Sequence, residues 1–108
     1  MPTIFDRFSM HGKTALVTGG AGLLGREFCR TLAEAGAVVY VAEITSSLAQ
    51  PVADDLSSAG YQARAVGMNI TKPEEIRQVV ETIAAETDTL DAVVNSAALD
   101  PKFDPTHD

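Results

Sequence analysis

The chain has 108 residues, 45% of them hydrophobic and 21% charged, which excludes a disordered polar segment and allows one domain with a real core. A formal net charge of -7, with eight Lys and Arg scattered along the chain, argues against a nucleic-acid partner and for a small-molecule ligand. Cys29 is the single cysteine, so no internal disulfide forms, and no Cys/His spacing resembles a metal site. No apolar run approaches the ~20 residues of a membrane span, and residues 1–13 lack a signal-peptide core, so a cytoplasmic protein with no membrane partner is expected.

In chain order, Thr14-Ala15-Leu16-Val17-Thr18 is a short apolar run ending in glycines, predicted as a buried strand. From Gly22 the period becomes helical: Leu24, Phe28 and Leu32 share one face, expected to point inward, and Gly36 stands where a C-terminal cap belongs. Val38-Val39-Tyr40-Val41-Ala42 is a second strand, rich in β-branched residues. Thr45-Ser46-Ser47 offers N-caps for a helix carrying Leu48, Val52 and Leu56 inward and closed by Gly60, with Pro51 tolerable if it falls in the first turn. Residues 62–68 are predicted as a third strand. Thr71-Lys72-Pro73-Glu74 follows as a capping box, opening a helix whose apolar face carries Ile76, Val79, Val80, Ile83 and Ala84. Residues 90–95 are a fourth strand, and residues 100–108, with two prolines, a loop or tail. This β-α-β-α-β-α-β order implies α/β architecture: a parallel sheet with right-handed crossovers and helices on both faces.

The segment Thr18-Gly19-Gly20-Ala21-Gly22-Leu23-Leu24-Gly25 joins the first strand to the first helix. A strand feeding directly into a helix needs a tight turn, met by Gly19 or Gly20. A pyrophosphate approaching the N–H groups at the helix N-terminus favours Gly22, and close helix-on-strand packing favours Gly25. Glu43 lies 18 residues beyond Gly25, just past the second strand. That is near the ~20-residue offset of an acid that accepts hydrogen bonds from the adenosine ribose. A carboxylate there would repel the extra phosphate of NADP, so NAD is the expected cofactor.

These residues resemble a known family. Gly12-Lys13-Thr14-Ala15-Leu16-Val17-Thr18-Gly19-Gly20 is similar to the opening of short-chain dehydrogenases/reductases, Asn69-Ile70-Thr71 to their Asp-Val-Thr segment beside the adenine, and Asn95-Ser96-Ala97-Ala98 to their Asn-Asn-Ala-Gly segment after the fourth strand. The resemblance implies a Rossmann-like open sheet in strand order 3-2-1-4, with residues 1–99 as a dinucleotide-binding half-domain. It implies a cofactor site of Gly19, Gly22, Leu23, Leu24, Gly25, Glu43, Asn69, Ile70, Asn95 and Ala97. Within the family, the N-terminus, the Gly-Ala-Gly-Leu-Leu-Gly loop and the run from Asn95 to Lys102 resemble dehydrogenases of flagellin modification and of nucleotide-sugar or polysaccharide biosynthesis. The chain departs from the family pattern at Leu23, where the commonest loop has glycine, at Asn69, where aspartate is usual, and at Ala98, which replaces glycine.

Catalysis in this family uses a serine and a Tyr-x-x-x-Lys pair, the tyrosine as general acid or base beside a cation that lowers its pKa. Tyr40 and Tyr61 are followed four residues on by Ile44 and Ala65, so both are expected to be structural, and no catalytic residue is assigned. Cys29 is expected to be a small packing residue. The expected function is the NAD-binding portion of an oxidoreductase, inactive alone. A non-enzymatic nucleotide-binding or scaffolding module, and a fragment complemented by a second chain, share the same front half. An open edge on the fourth strand is expected to favour a homo-oligomer.

Overall fold

The sequence alternates short apolar runs with helical stretches, and the chain follows it. β1 (Thr14–Thr18), β2 (Val38–Glu43), β3 (Ala63–Gly67) and β4 (Ala92–Asn95) are separated by α1 (Leu23–Glu34), α2 (Ser46–Ser58) and α3 (Pro73–Thr87). The structure, a computed structural model, describes residues 8–96. The tail expected over residues 100–108 lies outside them. All three strand pairings are parallel and the order is β3-β2-β1-β4, the open four-stranded sheet that the element pattern implies. β2 runs one residue further than expected and takes in Glu43, while β3 and β4 are shorter than the predicted runs.

Alternation along the strands divides the core into two layers. Ala15, Val17, Val39 and Val41 face α1 and α2 and pack with Cys29, Ala33, Ala49, Val52, Ala53 and Leu56. Leu16, Tyr40 and Ala42 face the other way, with Met68 and with Val79 and Ile83 of α3. β1 is therefore buried on both faces along its whole length, as a central parallel strand requires.

The rotation of α1 corrects the expected inward stripe at Leu24 and Phe28, while Leu32 is half-buried against the core. Gly25, Cys29 and Ala33 are buried, whereas Leu24 is 66% and Phe28 39% exposed. A Cβ at residue 25 would collide with the Gly19 carbonyl and lie 2.8 Å from Gly20 Cα. Residue 25 is thus the one that touches the loop, and Leu24, about 100° around the helix, is turned outward.

In α2 the inward residues are Ala49, Val52, Ala53 and Leu56, while Leu48 is 52% exposed. Pro51 falls in the second turn rather than the first, where it removes one backbone donor. Both α1 and α2 end as the glycines suggest. Gly36 and Gly60 have φ of 105° and 95°, and Ala37 N–H bonds Leu32 O just as Tyr61 N–H bonds Leu56 O.

The capping box expected at Thr71 is absent. The N-cap of α3 is Lys72, one residue later, with no side-chain cap bond, although Pro73 opens the helix and Glu74 and Glu75 lie in its first turn. On the α3 face, Val79 and Ile83 are buried and Ile76 half-buried, but Val80 and Ala84 are exposed. Tyr40 is buried in β2, where its hydroxyl donates to Glu86 Oε1 and accepts from Arg64 Nη1, each at 2.9 Å. Burial pushes its phenol above the ordinary value, with the Glu86 bond adding and Arg64 opposing. Tyr61 packs at the rim of the α1/α2 layer.

Candidate functional site

The strand order reverses beside β1: the chain leaves it for β2 and then β3 on one side, and crosses back from β3 through α3 to β4 on the other. In open α/β sheets the crevice at such a point is where ligands bind. Thr18, the last residue of β1, is in register with Ala42, one residue before the end of β2, and with Asn95, the end of β4. The glycine loop springs from that row.

The loop is fixed by backbone donors. Gly19 adopts φ of 66°, the left-handed region that favours glycine. Gly20 N–H donates to Ala42 O at 3.1 Å, and a Cβ on Gly20 would come within 2.5 Å of Val41 Cγ1. Ala21 N–H donates to Glu43 Oε2 at 2.9 Å. Gly22 N–H returns to Gly19 O at 3.0 Å, and Arg26 N–H makes the first bond of α1, to Gly22 O.

The N-cap of α1 is Gly22, which contributes no side-chain bond, and no acid lies in the first turn. The N–H groups of Leu23, Leu24 and Gly25 consequently have no protein acceptor among the described residues. Three aligned donors at the positive end of a helix dipole suit a phosphate group. Leu23, the first residue of α1, is 88% exposed.

Asn95 and Ser96 secure the other side. Thr18 Oγ1 donates to Asn95 Oδ1 at 2.8 Å, and Ser96 Oγ donates to Thr18 O. Asn69 and Ile70 follow β3. Asn69 Oδ1 accepts both the N–H and the hydroxyl of Thr71, at 2.9 and 2.6 Å, while Asn69 N–H donates to Glu75 Oε1. Its side-chain carbonyl therefore shapes the turn into α3. Ile70 is half-buried against the α3 layer.

Gly19, Gly22, Leu23, Leu24, Gly25, Glu43 and Asn95 thus gather about the C-terminal ends of β1, β2 and β4, with Asn69 and Ile70 beyond the end of β3. Ala97 lies outside the described residues. Sequence reasoning missed Thr18 as the partner of Asn95 and Ala21 as the partner of Glu43. A polar residue closing an otherwise apolar buried strand was the available signal for Thr18. Nothing in the sequence signals a backbone amide such as that of Ala21.

The cleft lined by Arg26, Glu27, Arg30, Val52, Asp55 and Leu56 lies between α1 and α2 and includes none of these site residues. Among the described residues no group of His, Cys, Asp and Glu could hold a metal ion, and no helix is long and apolar enough to cross a membrane. Cys29 is fully buried, and burial pushes its thiol up to about 12, which disfavours the thiolate that a nucleophile or metal ligand needs.

A family model described as short chain dehydrogenase matches residues 13–108, and the chain belongs to that family. A short chain dehydrogenase/reductase of Colletotrichum higginsianum is 37% identical over 97 residues, which are 90% of this chain and 36% of the relative. Cyclopentanol dehydrogenase of Comamonas sp. is 34% identical over 90 residues, 83% of this chain and 36% of the relative. Among solved structures, a short-chain type dehydrogenase/reductase from Mycobacterium marinum superposes with a TM-score of 0.84 at 32% identity, covering 92% of this chain and 40% of that one. A putative D-mannonate oxidoreductase from Haemophilus influenza, solved with bound NAD, superposes with a TM-score of 0.81 at 26% identity, covering 93% of this chain and 36% of that one. The chain thus spans between about a third and two fifths of these proteins.

Members of the family bind NAD or NADP. The narrower likeness to dehydrogenases of flagellin modification and polysaccharide biosynthesis is not supported by these relatives. The physical reason is that the motifs behind it, the glycine loop and the segment from Asn95, are demanded by a nucleotide site the whole family shares. They carry no information about substrate.

Proposed function

We propose that the chain is the dinucleotide-holding part of a short-chain dehydrogenase/reductase, that it takes NAD in preference to NADP, and that it does so in a cytoplasmic setting where Cys29 stays reduced. The observation that carries this is the bond from Ala21 N–H to Glu43 Oε2, which unites the glycine loop and the acid in one site. The free N–H groups of Leu23, Leu24 and Gly25 bind the pyrophosphate, with Gly19 and Gly22 setting the turn. Glu43 accepts from the adenosine ribose and repels a 2′-phosphate. Ile70 offers an apolar contact beside the adenine and Asn69 holds that segment in shape. Asn95 and Ala97 line the nicotinamide side.

Bound there, the dinucleotide would supply the hydride acceptor or donor. No tyrosine in the 108 residues has a lysine four positions later, so turnover of substrate is expected only where such a pair is also present, in the same polypeptide or a second one. Calorimetric titration of the chain with NAD, NADP and ADP-ribose tests the reading. NAD and ADP-ribose should bind with similar affinity and NADP more weakly. Absence of binding of all three below millimolar concentration would overturn it, and tighter binding of NADP would remove the role given to Glu43.

A second reading is favoured by the edge of the sheet. Among the described residues β4 pairs only with β1, and Val93 is 59% exposed. Such an edge would let two copies associate strand to strand, making the chain a self-associating nucleotide module. Light scattering that gives a monomer mass across micromolar concentrations would exclude it.

A further inference from the structure

Two successive amides of the glycine loop are fastened to the end of β2: Gly20 N–H to Ala42 O, and Ala21 N–H to Glu43 Oε2. The first bond joins backbone to backbone and uses no side chain at position 42. The second depends on residue 43 alone. After it, Gly22 N–H closes on Gly19 O within the loop itself, and the N–H groups of residues 23–25 are unbonded among the described residues. The Glu43 bond is therefore the last tie between the loop and the sheet before those free donors begin. Glu43 is half-buried, and only its Oε2 has a partner among the described residues.

From this division of the two oxygens we infer that Glu43 is a positioning residue for the phosphate loop. Oε2 holds Ala21 so that the Leu23, Leu24 and Gly25 N–H groups are presented to a phosphate before any ligand arrives, and Oε1 remains for a ribose hydroxyl. The assignment rests on the nucleotide function proposed above. It adds a consequence for selectivity. A group that drives the carboxylate aside, such as a 2′-phosphate, also releases Ala21 and loosens the loop, so NADP is disfavoured at two places.

A carboxylate that acted by charge alone would behave differently, and inorganic pyrophosphate separates the two views because it has no ribose. With charge alone, Glu43→Ala and Glu43→Gln each remove one repelling charge and bind pyrophosphate equally well, both better than the unaltered chain. With positioning, Gln keeps an amide oxygen that accepts the Ala21 N–H and Ala does not. Glu43→Ala then binds pyrophosphate about tenfold more weakly than Glu43→Gln, the effect of losing one hydrogen bond. The same pair is compared without ligand by amide hydrogen exchange at Ala21 read by NMR. Exchange should quicken about tenfold in Glu43→Ala and return to near the unaltered rate in Glu43→Gln.

Equal pyrophosphate affinity of the two variants, or equal Ala21 exchange, would overturn the positioning role. Where Glu43→Ala fails to fold, Glu43→Met replaces it, with similar length and no oxygen acceptor. If the unaltered chain binds neither pyrophosphate nor NAD while Ala21 exchange follows the expected order, the nucleotide reading falls and the tie between Glu43 and the loop stands.

Discussion

Asp91 Oδ2 accepts the backbone N–H of Thr14 at 2.8 Å across 77 residues of sequence, and Asp91 N–H returns a bond to Thr14 O at 2.9 Å. The start of β4 is thereby clipped to the start of β1 by a two-way exchange. The Thr14 N–H, with help from Thr89 Oγ1 and Lys13, holds the Asp91 carboxyl below the usual carboxylate range.

The clip makes stability depend on acid. Because the folded pKa is lowered, the contribution of Asp91 is fully present above its unfolded value near 3.9 and is lost as pH falls through the folded value. Asp91→Asn should lower the urea midpoint at pH 7, and its gap from the unaltered chain should close as the pH drops below about 4. A gap that stays constant from pH 7 to pH 3 would show that the charge contributes nothing.

Gly25 and Gly22 should respond unequally to alanine. At residue 25 the new methyl meets the Gly19 carbonyl and the Gly20 backbone, neither of which can move without opening the loop. Gly25→Ala should cost about 3 kcal/mol in urea unfolding. At Gly22 the nearest atom is Gly19 O at 3.3 Å and the backbone is extended, so Gly22→Ala should cost about 1 kcal/mol, the usual penalty of alanine at an N-cap.

Cys29 should be silent to thiol reagents while the fold holds. At pH 8 iodoacetamide should leave it unmodified in buffer and alkylate it fully in denaturing urea. Its folded pKa, raised to about 12, sits above the value near 8.5 of an unfolded thiol. The stability it contributes is complete below pH 8.5 and declines as pH rises toward 12. Cys29→Ala should remove that alkaline decline while leaving a small cavity.

Tyr40→Phe tests the bridge across β2, β3 and α3. Arg64 and Glu86 are 49% and 43% exposed and already 3.5 Å apart, so both can turn to water or to each other once the hydroxyl is gone. The loss should be about 1 kcal/mol. Ultraviolet titration of the unaltered chain should show a phenol that ionises above pH 10, absent from the variant.

The architecture was legible because periodicity changes type at each boundary: β-branched runs at 14–18 and 38–42, and four-residue spacing between them. What sequence could not supply was rotation. Leu24 and Phe28 outweigh Gly25 and Cys29 in hydrophobicity, yet the contact of Gly25 with the loop backbone fixes which side of α1 faces the sheet. The same holds at α3, where Asn69 takes the Thr71 hydroxyl and Glu75 takes the Asn69 N–H, so the box expected from Thr71 and Glu74 never forms. In the site, Glu43 stood at the offset an acid needs. Its bond to Ala21 could not be read, because a backbone amide has no letter of its own.

The place of β1 between β2 and β4 also sets the timetable of the nascent chain. Ribosomal synthesis at ~5–20 residues per second separates the emergence of Thr14 from that of Asp91 by ~4–15 s. For that interval β1 has no native neighbour on the flank that β4 will occupy, and on the other flank it has β2 only once residues 38–43 have followed. The strand buried along its whole length is thus completed only by the last of the described strands to be made.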